Sequence, residues 1–183
     1  MANNNSSFGL KPVRMMGGAP YSGGQSRYRI ASGATTPIFQ GDLVTQLTAG
    51  VIGRHVATGT VPIVGVFNGV QYTDPTTGEQ VFNNYYPGSI AASDIIASVV
   101  DDPNVVFEVQ ADAAMPVADL FGNFDIVDGS PVGDTSSGIS NAELDVGTGA
   151  TTATLPLKAL DISQDPDNDD VSSANTNVLC VIQ

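Results

Sequence analysis

The chain is poor in the residues from which reactive sites are usually built. It has one histidine, one cysteine and no tryptophan in 183 residues. A single imidazole cannot supply a His-based metal pair, and a single thiol forms neither an internal disulfide nor a Cys-rich metal site. Positive charge is scarce too: 6 Lys and Arg stand against 19 Asp and Glu, a net charge of −13. Phosphate affinity rests on clustered Lys and Arg, so the balance argues against nucleic acid and against an anionic membrane surface as partners. No apolar run comes near the roughly 20 residues that a membrane-spanning helix needs. The opening segment, Met1–Ile30, also lacks the apolar stretch of a secretory signal peptide. Asn4 and Asn5 open N-x-[ST] sequons, which without such a signal read as chance in an Asn/Ser-rich start.

Long segments free of glycine and proline are missing as well. The 20 Gly and 11 Pro are spread along the chain, and the longest runs without either are 89–102 and 167–183. The second opens with a polar stretch that has no apolar face, so a helical bundle is ruled out. Strand signals are plentiful instead: Arg27–Ile30, Asp42–Leu47, Glu79–Tyr86, Phe124–Val127, Ala142–Val146, Thr154–Leu160 and Val178–Ile182. Pro62–Tyr72 is an apolar run broken by Gly65 and Gly69, the pattern of a bulged or strongly bent strand pair. Ile95–Val100 and Val105–Gln110 flank Asp101-Asp102-Pro103-Asn104, which reads as a hairpin turn. Further turns are expected at Asp128-Gly129, Val132-Gly133-Asp134 and Gly147-Thr148-Gly149. The expected fold is all-β, a β-barrel or β-sandwich with long loops and at most one or two short helices, one near Val117–Phe121. Residues 1–30 read as an extended basic N-terminal arm. Residues 31–183 read as a single β-rich domain with an acidic loop near 161–177.

Each candidate for chemistry has a plainer explanation. No G-x-S-x-G elbow accompanies His55, so a structural or surface histidine is expected. Cys180 lies in the apolar run Val178–Ile182 and is expected to be a buried, inert thiol. Asp165-Pro166-Asp167-Asn168-Asp169-Asp170 spaces oxygen ligands like a Ca²⁺ loop, but the sixth position is Asp170 rather than Gly and the twelfth is Thr176 rather than Glu. A solvated acidic loop is the expectation there. Asp101 and Asp102 are adjacent, point to opposite faces of an extended chain and belong to a turn. Gly17-Gly18 and Gly23-Gly24 have no following helix or lysine to make a phosphate loop. No metal, no cofactor and no enzymatic activity are expected.

The placement of charge stands out. Lys11, Arg14, Arg27 and Arg29 all fall within Met1–Ile30, where no Asp or Glu occurs, so that segment carries +4. The segment 31–183 sets Arg54 and Lys158 against all 19 acids, for −17. A basic arm on an acidic body suits contact with a neighbouring acidic protein surface, or folding back on its own domain. Phe8, Met15, Met16 and Tyr21 are its isolated apolar anchors.

Ala2–Arg14 (ANNNSSFGLKPVR), Gly18–Gly23 (GAPYSG) and Tyr28–Ile30 resemble the start of a group of small virion structural proteins from marine tailed phages. Three further elements agree: Ile38–Val44 (IFQGDLV), Gly65–Tyr72 (GVFNGVQY) and Asp101–Asp112 (DDPNVVFEVQAD). The likeness runs from Ala2 to about Asp145. It implies a decoration or cement protein: mostly β, bound to major capsid protein on the outer face of the mature head, often a homotrimer, anchored in part by an N-terminal arm. It implies a place in the virion after synthesis in the cytoplasm of the infected host, and it carries no catalytic residues. A rival reading is a β-rich tail or receptor-binding module that recognises glycans, with Tyr72, Tyr85 and Tyr86 as stacking platforms.

Overall fold

The computed structural model describes residues 3–56, 62–151 and 154–183. Its strands, in chain order, are β1 Lys11–Met15, β2 Ser26–Arg29, β3 Leu43–Leu47, β4 Val51–Arg54, β5 Ile63–Thr73, β6 Gln80–Asn83 and β7 Ile96–Val100. They continue with β8 Val105–Gln110, β9 Asn123–Val127, β10 Gly133–Asp134, β11 Ile139–Ser140, β12 Glu143–Ala150, β13 Leu157–Ile162 and β14 Asn177–Ile182. Two 3₁₀ turns, Thr48–Gly50 and Val117–Asp119, are the helical structure among the described residues. The protein is all-β. The short helix expected near Val117–Phe121 is the second of these turns.

Two six-stranded antiparallel sheets face each other, with a two-stranded β10–β11 hairpin beside them. One sheet runs β1-β8-β14-β13-β9-β12, and the other runs β2-β7-β5-β3-β4 with β6 paired to β5. Each sheet curls. Single parallel bridges, Ala111 to Leu144 in the first and Ile30 to Ile52 in the second, bring its far strands together.

Adjacent residues on the central strands enter different cores. Leu43, Val66 and Val100 pack with Phe107, Phe124, Leu144 and Leu157 between the sheets, whereas Val44, Phe67 and Val99 pack with Tyr72, Tyr86 and Ile95 inside the curl of the second sheet. Burial on both faces explains why 62–72 and 95–100 read as nearly continuous apolar runs rather than alternating ones.

Three local expectations change. Pro62–Tyr72 is not a strand pair: Ile63–Thr73 is one 11-residue strand, with an irregular register between Phe67 and Gly69. Gly65 allows close backbone approach there, since a Cβ would lie 2.3 Å from the Val100 carbonyl oxygen. Asp101–Asn104 is not a hairpin turn either. The Asp102 carboxylate accepts from Asn104 N at 2.8 Å, and the turn passes the chain from β7 in one sheet to β8 in the other. Gly147-Thr148-Gly149 lies within β12, as an irregularity in its pairing with β9, and does not end a strand.

Residues 3–30 also differ from a free extended arm. Leu10 is buried in the inter-sheet core, β1 pairs with β8 and β2 pairs with β7. Asn3 Nδ2 donates to the Asp170 carbonyl at 2.9 Å, and the Asn4 carbonyl accepts from Asn168 Nδ2 at 2.8 Å. The polar start of the chain is therefore clamped by the acidic loop. Short carboxamides can satisfy loop backbone that no sheet reaches.

Candidate functional site

The two strands that carry the basic residues are sheet-end strands, and both approach the 101–104 turn. Met16 N donates to the Asn104 carbonyl at 2.7 Å, just after β1. The Tyr28 hydroxyl of β2 donates to Asp101 Oδ2 at 2.7 Å. That bond, before burial and the Asp101 charge, raises the tyrosine's pKa. Arg14 on β1, opposite Val106, and Arg27 on β2, opposite Ser98, lie toward that turn, whereas Lys11, opposite Glu108, and Arg29, opposite Ile96, lie nearer the far ends of their strands. Lys11 is 4.0 Å from Glu108, among the described residues Arg54 forms the other Lys/Arg ion pair, with Asp128, and His55 Nε2 lies 3.3 Å from Asp125. Arg14, Arg27 and Arg29 are outside that set.

The apolar anchors divide. Met15 and Tyr21 pack against the inter-sheet core, and the Tyr21 hydroxyl donates to the Gly24 carbonyl at 2.9 Å. Phe8 is half-buried and lines a small apolar cavity of about 200 Å³ with Leu10, Pro12 and Val66. Met16 is exposed. Of the eight arm residues, Lys11, Met16, Arg27 and Arg29 stand most open to solvent, Arg14 is partly covered, and the others are partly structural.

A buried charged network lies at the other end of the chemistry. Asp42, just before β3, accepts from Phe39 N at 2.7 Å and from the Ser140 hydroxyl at 2.5 Å. Burial, partly offset by those bonds and by Arg54, pushes its carboxyl up to about 6. Arg54 Nη1 donates to Asp128 at 2.6 Å, and His55 Nε2 is 3.3 Å from Asp125. These groups join β4 to β9 and the β10–β11 hairpin to the approach of β3. Ser140 and His55 are both buried and pair with different aspartates, so they act as cross-links between segments. His55 is the only member the sequence singled out. The rest is invisible there because the partners lie 70 or more residues apart.

Two carboxylates of the acidic loop are used within it. Asp165 accepts from Asp167 N and Asn177 Nδ2, and Asp170 accepts from Ser172 N and its hydroxyl. Cys180 is buried, and that burial pushes its thiol up to about 12. The proposed tyrosine platform does not form. Tyr72 and Tyr86 are buried, and Tyr85 stacks on Phe39 with ring centroids 5.3 Å apart. The exposed aromatics are Phe82 and Phe121, which the strand pattern alone did not distinguish from core residues.

The chain matches no protein-family model, no curated protein and no solved structure.

Proposed function

We propose that the chain is a non-enzymatic capsid decoration protein, bound to the outer surface of a tailed-phage head and stabilising the shell by bridging capsomers. The observation that carries this reading is the separation of charge. Four of the six cations lie within the first 30 residues, on two sheet-end strands, while the rest of the chain is −17. The resemblance of residues 2–145 to small virion structural proteins of marine tailed phages, which implies a protein of the decoration type, supports it. In this reading Lys11, Arg14 and the exposed Met16 meet an acidic face of major capsid protein, and self-association into a homotrimer completes the bridge. A protein that binds only the assembled shell stabilises it by mass action, and charge-assisted bonds from the arginines orient it.

Deleting residues 1–25 is a poor test, because it removes β1 and the buried Leu10. The double variant Lys11→Gln/Arg14→Gln removes both charges without setting a carboxylate against Glu108, the cross-strand partner of Lys11. Mixed with bare shells and sedimented, it should bind more weakly than the native chain. Native binding should itself fall as salt rises. Undiminished binding of the double variant at low salt would overturn the reading.

A further inference from the structure

We propose that the outward face of β6, β5, β7 and β2 is a binding site for an acidic oligosaccharide. The register builds this face. Phe82 is opposite Gln71, Gln71 opposite Ile96, and Ile96 opposite Arg29. Directly paired residues share a face, so the four form one row across four strands, about 14 Å long at ordinary strand spacing. A second row on the same side holds Gly69, Ser98 and Arg27. The intervening residues Val70 and Ala97 are buried in the core, which fixes these rows as outward-facing.

The lining has the chemistry of sugar recognition. Phe82 is 70% exposed, too open for a core residue, and Ile96, two strands away in the same row, is partly buried. Beside it runs a shallow groove of about 240 Å³ lined by Gln25, Asn68, Gln71, Asn83, Asn84 and Ser98. Gln40 Nε2 donates to Asn68 Oδ1 at 2.8 Å, which fixes the Asn68 carboxamide with its NH₂ as the remaining donor end. Gly69 leaves the floor without a side chain.

An aromatic ring accepts the C–H face of a pyranose, and carboxamides offer donors and acceptors together for its hydroxyls. Arg27 and Arg29 make no ion pair among the described residues and close the far end of the rows. Guanidinium groups at that position select a ligand bearing carboxylate or sulfate. One exposed phenyl ring among amides is too little apolar area for the core of a protein interface. The site is a sheet face that uses neither Lys11 nor Arg14 of the β1 edge, so its failure and that of the shell-binding reading are distinguishable.

The test is an NMR titration of the full ¹⁵N-labelled chain at low salt, with an oligogalacturonate as the acidic probe and a malto-oligosaccharide as the neutral one. Saturable shifts at Asn68, Gly69, Gln71, Asn83 and Ser98 are expected with the acidic probe. Phe82→Ala, with unchanged melting, should weaken binding at least about tenfold, the loss of one well-made stacking contact. Arg27→Ala/Arg29→Ala should reduce the acidic probe to the affinity of the neutral one. Gln71→Ala gives a second, conservative probe of the groove. The proposal is overturned if neither saccharide gives saturable shifts, if both bind the native chain equally, or if the shifts fall elsewhere. It is also overturned if Phe82→Ala leaves saccharide binding intact and weakens only binding to shells.

Discussion

The Ser140 hydroxyl donates to the Asp42 carboxylate at 2.5 Å, across 98 positions of sequence. Both side chains are shut off from solvent. The bond ties the small β10–β11 hairpin to the segment that leads into β3. Ser140 Oγ in turn accepts from Ala142 N at 3.0 Å, so the hydroxyl is used in both directions. A buried carboxylate is tolerated here because fixed donors replace part of its lost hydration.

Asp42 should give the fold a pH dependence. Its carboxyl is raised from 3.8 to about 6, chiefly by burial, so the folded state holds the proton more tightly than the unfolded chain does. The resulting stabilisation is full below the ordinary carboxylate value and is lost as pH rises through about 6. At roughly 1.4 kcal/mol per unit, the span is about 3 kcal/mol. Asp42→Asn should remove that slope. Urea unfolding of both proteins between about pH 7 and about pH 4 checks it. The difference between the two curves isolates Asp42 from carboxylates such as Asp134, whose pKa its hydrogen bonds to Ser136 lower, giving the opposite slope.

Arg54 should be far more sensitive than an ordinary strand arginine. Its side chain is 9% exposed and holds Asp128 at 2.6 Å. Removing a charged partner from a mostly buried pair leaves the other carboxylate uncompensated. Arg54→Ala should therefore cost about 1.5–3 kcal/mol in chemical unfolding. Arg27→Ala, on an exposed position of β2, should change stability by no more than about 0.5 kcal/mol.

The glycines separate by surroundings. Gly65→Ala would place a methyl 2.3 Å from the Val100 carbonyl and 2.8 Å from a Val99 methyl. Forcing β5 away from β7 should cost about 1–3 kcal/mol or more. Gly24→Ala meets nothing within 4 Å, so it should be neutral or stabilise by a few tenths of a kcal/mol through the unfolded chain. Thermal melting of the pair measures the contrast.

Cys180 should be silent to thiol reagents while the protein is folded. Its thiol is buried against the inter-sheet core and held at about 12, so the reactive thiolate is nearly absent at neutral pH. Labelling with a disulfide reagent should proceed at the rate of unfolding and become fast in denaturant. Rapid stoichiometric labelling of the native chain would contradict the packing described for β14.

Composition and local pattern carried much of the architecture. Spread glycine and proline left room for little helix, and β-branched runs such as Leu43-Val44-Thr45 and Val105-Val106-Phe107 read as strands. The split of charge into +4 and −17 is likewise a property of the sequence. Other features depended on contacts between distant segments. Lys11–Met15 shows little strand pattern of its own and becomes a strand because β8 offers it an edge. Val51–Arg54 is short and contains Gly53, yet pairing with β3 fixes it. Whether Asp101–Asn104 closes a hairpin or bridges two sheets is not encoded in the turn residues, since an Asx turn serves both. The same holds for the candidate sites. Phe82 and Tyr86 are both aromatics near a strand, and only the cross-strand register decides that one faces solvent and the other fills the core. Sequence by itself determined the strands' content and the sign of each segment. Tertiary pairing alone decided which side chains share a face, because a one-residue difference in register sends every side chain to the opposite side of its sheet.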